Sequence, residues 1–255
     1  MPPALSVPPL DTGLKLRLGL VKLFDLLCRL PPWPTLRKVM NYCAATIPDL
    51  FFVQIGANDG VLYDPLYHYV RRYRWPGLLV EPARCYFARL QQTYRAHPNL
   101  IFENAAISDR EEQRALFRIR EDCDYLPQWC AGLGSFHREV LMSHRWAIPD
   151  LERYVVEEIV YCVTLSSLLR KHAVTRVDVL CIDTEGHDHE ILQQIDFESV
   201  RPRVLLYEHE YMRRVERKRC EAMLASRGYA LSRRLGDTLA YLPLRSTPRG
   251  KLAYG

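Results

Sequence analysis

The densest run of ionisable side chains is Asp183-Thr184-Glu185-Gly186-His187-Asp188-His189-Glu190, in which six of eight residues can titrate. It follows directly on Val177-Asp178-Val179-Leu180-Cys181-Ile182, which reads as a buried strand. A second acidic knot, Glu208-His209-Glu210, follows the strand-like run Val204 to Tyr207. Ligands of open α/β sheets bind at the carboxyl ends of strands, so both knots would emerge on one ligand-binding edge. Removing a proton from a hydroxyl needs a carboxylate or a near-neutral imidazole, and His187, Asp183 and Glu208 are the candidate catalytic bases. The oxygen donors of Asp183, Glu185 and Glu208 also suit a divalent metal that orients a diol and lowers a hydroxyl pKa, although spacing alone fixes no ligand set. Asp188, His189 and Glu190 read equally well as the first turn of a helix, where acids offset the dipole.

The other chemical segment is a glycine turn. The strand Phe51 to Ile55 runs into Gly56-Ala57-Asn58-Asp59-Gly60, where a missing side chain lets the backbone turn tightly and approach a ligand. The next strand, Leu78 to Val80, ends at Glu81, about twenty positions on, the spacing at which an acid reaches ribose hydroxyls. The turn is not G-x-G-x-x-G, and Asp59 puts a carboxylate where a pyrophosphate needs donors. S-adenosylmethionine has no phosphate and carries sulfonium and ammonium cations, so it suits this loop better than a dinucleotide does. A nucleotide-dependent oxidoreductase and a non-catalytic binding module of the same fold are the competing expectations.

The elements that must position these residues alternate. Phe51 to Ile55, Gly77 to Val80, Leu100 to Phe102, Val177 to Ile182 and Val204 to Tyr207 read as strands. Tyr63 to Tyr73, Ala83 to Ala96, Leu165 to His172, His187 to Ile195 and Met212 to Ser226 read as helices. This is the rhythm of an α/β doubly wound parallel sheet, and Tyr229 to Arg233 with Thr238 to Leu242 would add a terminal hairpin around Gly236-Asp237. Residues 121–154 break the rhythm. There Tyr125, Trp129, Phe136 and His137 surround Gly132 and Gly134, as an inserted loop over a site would. Domain boundaries follow: an N-terminal helical extension over 1–48, the main domain over 49–245 and a tail over 246–255.

With 48% hydrophobic and 25% charged residues, the 255-residue chain is ordinary for a folded protein, and its net charge of +5 does not call for a nucleic acid partner. The eight cysteines form no C-x-x-C pair, which fits reduced thiols, with Cys162 and Cys181 as small core residues. Residues 11–30 read as a helix whose apolar face suits packing on the domain, pairing in a homodimer or peripheral membrane contact. Lys15, Arg17, Lys22, Asp25 and Arg29 interrupt it, so neither a secretory signal nor a membrane span is expected, and the location expected is cytoplasmic.

The segments Val53 to Gly60, Val80-Glu81-Pro82, Asn104 to Ser108, Val163-Thr164-Leu165 and Ile182 to Gly186, in that order, resemble the FkbM family of methyltransferases over about Leu50 to Glu210. The resemblance implies a Rossmann-like class I methyltransferase with a seven-stranded, mostly parallel sheet and a C-terminal antiparallel hairpin. It also implies an O-methyltransferase acting on a hydroxyl of a sugar, glycolipid or secondary metabolite, so that the partner is a small-molecule or glycan acceptor. Carried across, Gly56, Ala57 and Asn58 would line the methionine part of the cofactor, Glu81 the ribose, and Ala106 with Ser108 the adenine. Gln54 stands where many members begin this motif with aspartate, and Asp59 or Asp183 would then supply the charge facing the cofactor's ammonium.

Overall fold

Short apolar runs alternate with amphipathic stretches along this chain, and each run becomes a strand covered on both faces. The computed structural model describes residues 35–123, 126–130, 132–234 and 236–243. The helix expected over 11–30, with its membrane or dimer contact, Tyr125 and the 246–255 tail lie outside them.

Helix α1 (Leu36–Thr46) starts at Thr35, whose hydroxyl accepts the Lys38 N–H at 3.3 Å. Then come β1 (Phe52–Ile55), α2 (Tyr67–Tyr73), β2 (Gly77–Val80), α3 (Arg84–Thr93) and β3 (Leu100–Glu103). The middle of the chain forms β4 (Ala106–Ile107), β5 (Glu112–Ile119), β6 (Gly134–Ser135), α4 (Arg138–Met142) and β7 (Val155–Val163). The alternation resumes with α5 (Leu165–Lys171), β8 (Val179–Ile182), α6 (Asp188–Gln193), β9 (Val204–Glu208) and α7 (Arg214–Ser226), followed by β10 (Ala230–Arg233) and β11 (Asp237–Tyr241).

The main sheet has the order β10-β11-β9-β8-β1-β2-β3, parallel from β9 to β3, with β11 and β10 antiparallel at one end. The period of two along each strand divides the core. Val53, Ile55, Leu78, Val80, Leu180, Ile182, Leu205 and Tyr207 pack on the face covered by α5, α6 and α7. Phe52, Leu79, Val179, Cys181 and Val204 pack on the face covered by α1, α2 and α3. The fold is thus a three-layer, Rossmann-like α/β sandwich.

The expected strands and helices of the alternating part are present with ends shifted by a few residues. The helix expected from Tyr63 starts later because Asp64 Oδ1 accepts the Leu66 and Tyr67 N–H groups, at 2.6 and 3.1 Å, and holds the chain in a turn. A second sheet, β4-β7-β5-β6, is absent from the sequence expectation. Its main ladder pairs β5 with β7 antiparallel from Glu112↔Cys162 to Ile119↔Val155. Those strands are half exposed and rich in Arg and Glu, so they lack the apolar run that marks a core strand. The segment between them, expected as a loop, carries short helical turns around its own apolar cluster, which includes Cys130, Leu133, Leu141, Ile148 and Leu151. Cys162 and Cys181 are buried core thiols, and the described cysteines are unbridged.

The chain builds β1 to β3 outward from the centre, then returns to build β8 and β9 on the other side. The sheet therefore reverses between β1 and β8, and the carboxyl ends of these two strands meet at the switch point. Gly56 sits there at φ +79°, and a Cβ on it would lie 1.7 Å from the Asp183 carbonyl oxygen. Gly56→Ala should destabilise the protein by about 2 kcal/mol or more, from the left-handed conformation and the clash together. Urea unfolding checks this, and an unchanged midpoint would contradict so close an approach.

Candidate active site

The carboxyl ends of β1, β2, β8 and β9 open into one cavity of about 360 Å³. The β1 and β2 side is built around Glu81, 6% exposed, whose Oε2 accepts the Asn58 N–H at 2.8 Å and whose Oε1 accepts the Ala83 N–H at 2.9 Å. One carboxylate thus ties the glycine turn to the start of α3. Asn104 clamps the same place by donating from Nδ2 to the Glu81 and Pro82 carbonyls at 2.8 and 3.0 Å. Burial pushes the Glu81 carboxyl up to about 7.

Gln54, Gly56, Ala57, Asn58, Glu81 and Ala106 all line the cavity. Two further expected cofactor residues do not. Asp59 turns its carboxylate onto the Val61 and Leu62 N–H groups at 2.9 and 2.8 Å, capping the turn rather than facing the ligand space. Ser108 is wholly buried, with its N–H on the Val163 carbonyl at 2.9 Å and its hydroxyl 3.3 Å from Asp109, so it joins β4 to the end of β7. Asp64 also lines the cavity, although nothing in its sequence context marks it: it lies in the irregular stretch before α2.

The β8 and β9 side holds Asp183, Glu185, His187, Glu208 and Glu210. Donor atoms of Asp183, Glu185 and Glu208 all lie within 4.8 Å of one another. Glu185 adopts φ +52° beside Gly186 at +104°, which turns the chain sharply after β8. Asp188, 1% exposed, holds this turn against β9: its Oδ2 accepts the Thr184 N–H and hydroxyl at 3.2 and 2.6 Å, and its Oδ1 accepts the Glu208 N–H at 3.0 Å. It is a brace, outside the cavity lining. His209 is also structural, its Nδ1 2.9 Å from the Thr238 hydroxyl, and His189 lies off the cavity.

His187, 6% exposed, packs edge to face on Phe136 with centroids 5.2 Å apart, and neither ring nitrogen has a hydrogen-bond partner. Its nearest acid is Glu190, 3.8 Å from Nδ1. Burial lowers its pKa, which keeps the imidazole neutral and able to accept a proton. Burial and mutual repulsion raise Asp183, Glu185, Asp188 and Glu208 together, Asp188 to about 6. Asp183 keeps accessible surface within the cavity, so solvent screens it more than the others.

The middle segment closes this space at three points. A Cβ on Gly132 would lie 1.8 Å from Asn58 Nδ2, the Ser135 hydroxyl donates to the Glu185 carbonyl at 2.6 Å, and His144 Nε2 lies 2.9 Å from the Tyr211 hydroxyl. Trp129 and Phe136 from this segment line the cavity, whereas His137 does not.

These acids set the pH response of the ligand-free protein. Glu81 holds its proton to about pH 7 when folded and Asp188 to about 6, whereas their ordinary values are 4.5 and 3.8. The folded chain binds more protons than the unfolded one between those limits, so stability falls as pH rises through the window. His187, His144, His209 and His97 are held below their ordinary 6.5, so they oppose this as pH falls toward 6.5, where the unfolded imidazoles take up protons and the folded ones do not. Asp183 and Asp237 are likewise raised by burial to about 7, so the melting temperature should rise on going from pH 8 to pH 7, as calorimetry would record, and a fall over that range would contradict the burial of these acids.

The chain can now be set beside known proteins. A family model described as the methyltransferase FkbM domain matches residues 54–231. No curated protein sequence matched the chain. Among solved structures, it is similar to an O-methyltransferase from Bacillus cereus in complex with SAH, at 11% identity and TM-score 0.43, covering 93% of this chain and 94% of that one. A cofactor-bound protein, Rv0187 from MTB, gives the same identity and TM-score with 93% and 92% covered. A methyltransferase from Geobacter sulfurreducens gives 11% identity and TM-score 0.40, with 93% and 91% covered. The family match spans most of the chain and takes in every cavity wall from Gln54 to Tyr211, so this protein belongs to the FkbM methyltransferase family and is a methyltransferase.

Proposed function

We propose that this chain is an S-adenosylmethionine-dependent O-methyltransferase acting on a hydroxyl of a sugar, glycolipid or secondary metabolite. One observation carries this reading: a single cavity joins the glycine turn and Glu81 at one end to His187 and the acids of β8 and β9 at the other. A nucleoside fits the first end. Each Glu81 oxygen uses one lone pair on a backbone N–H, which leaves a second for each hydroxyl of a ribose diol. The carboxylates lining the cavity, Asp64, Glu81, Asp183, Glu185, Glu208 and Glu210, favour a cationic ligand over a pyrophosphate.

The bound cofactor supplies a methyl group made electrophilic by its sulfonium. The protein holds an acceptor oxygen in line with that methyl, receives the hydroxyl proton and keeps water out. His187 is the best-placed proton acceptor, because it is neutral, buried and unpartnered at the cavity wall. Trp129 and Phe136 offer apolar ring faces on which a sugar or polyketide ring can stack. A second reading rests on the closeness of Asp183, Glu185 and Glu208: three hard oxygen donors would hold a divalent cation that lowers the acceptor's hydroxyl pKa. The membrane contact and homodimer expected through residues 11–30 remain proposals, and no helix among the described residues is long and apolar enough to cross a membrane.

Glu81→Ala should weaken adenosylmethionine binding by about tenfold or more in calorimetry, and wild-type protein that binds none would sink the proposal. His187→Ala should lower kcat by about 10² to 10⁴ with cofactor affinity unchanged. A product screen on hydroxylated sugars, run with and without chelator, separates the two readings. Transfer that survives chelation rules out the metal.

A further inference from the structure

Just before the glycine turn, β1 presents a neutral amide at Gln54, and Asp59, the acid within the turn, is directed away onto Val61 and Leu62. The cavity nevertheless has an acid beside Gln54. Asp64 lines it, reached by a detour of ten residues through the turn. Its Oδ1 is engaged by the Leu66 and Tyr67 N–H groups, and the Tyr94 hydroxyl lies 3.5 Å from its Oδ2. Burial pushes this carboxyl up to about 6, and the neighbouring Gln54 side chain is among the groups that pull it back down.

Gln54 is 3% exposed, lines the cavity, and its Oε1 is buried with no hydrogen-bond partner. A buried acceptor left unmatched is costly, so its position marks where a ligand donor belongs. Beside it stands a carboxylate with no ion pair among the described residues. An acceptor and an anion side by side on one wall suit a primary ammonium, which carries three donors and one positive charge.

The geometry points to Gln54 Oε1 and the Asp64 carboxylate as a split binding site for the ammonium of the cofactor's methionine moiety. This inference rests on the adenosylmethionine reading above and deepens it. The strand supplies the orienting acceptor and the following turn supplies the charge, two tasks that one strand carboxylate would otherwise combine. The acid is kept in place by the same backbone donors that delay the start of α2.

The test compares two probes by calorimetry on the full chain. S-adenosylhomocysteine carries the ammonium, and 5′-methylthioadenosine has the same nucleoside and a thioether without the amino acid. Asp64→Asn keeps an oxygen for Leu66 and Tyr67 but removes the charge. It should weaken S-adenosylhomocysteine by about tenfold or more and leave methylthioadenosine within about twofold. Gln54→Leu, which removes the unmatched acceptor, should show the same selectivity and carries the test if the first variant does not fold. Equal weakening of both probes, or an unchanged affinity for S-adenosylhomocysteine, would overturn the assignment. If wild-type protein binds neither probe, it is the adenosylmethionine reading that falls.

Discussion

Where the sheet reverses, two strands built far apart in the chain end side by side, so close that a Cβ on Gly56 would lie 1.7 Å from the backbone carbonyl oxygen of Asp183. Any side chain at 56 would push β1 and β8 apart at the edge where the ligand space opens. This contact brings the glycine turn and Glu81, from the first half of the chain, within one cavity of the acids and His187, from the second half. The register supports it: Ile55 pairs with Val80 on one side and with Ile182 on the other, so the three strand ends finish level and the residues after them share one rim.

That rim is held by carboxylates used in two different ways. Glu81 and Asp188 spread their oxygens over backbone N–H groups of neighbouring loops, and those hydrogen bonds shape the turns. Asp183, Glu185 and Glu208 crowd together with far fewer partners. Crowded acids with little desolvation relief shift upward together, and any cation entering the cavity relieves them. Under the proposed reading, the same crowding favours a positively charged ligand.

The second sheet and the segment it frames act on this rim from above. The long β5 and β7 ladder packs Leu116, Val160 and Cys162 beside Ala83 and Tyr86, and it carries the described residues of 120–154 across the cavity mouth. The segment is latched to both halves of the site, at Asn58 on one side and at Glu185 and Tyr211 on the other. It therefore roofs the cavity as a packed unit with its own apolar cluster, not as a free loop.

Much of this was legible in the chain itself. Alternating buried runs and amphipathic helices have local periodicities, so β1, β2, β3, β8, β9 and the helices between them could be read directly, as could the glycine turn, Glu81 and the two acidic knots. The β5 and β7 strands were not legible, because their pattern of burial arises from pairing with each other and with a distant helix face. Nor could sequence spacing say which acids face the ligand. Asp59 and Ser108 sit inside the motifs yet point into their own turns, while Asp64 sits outside them and faces in. Side-chain direction after a strand depends on which backbone donors the turn leaves open, and that is settled only when the strands, the turn and the roof are packed together.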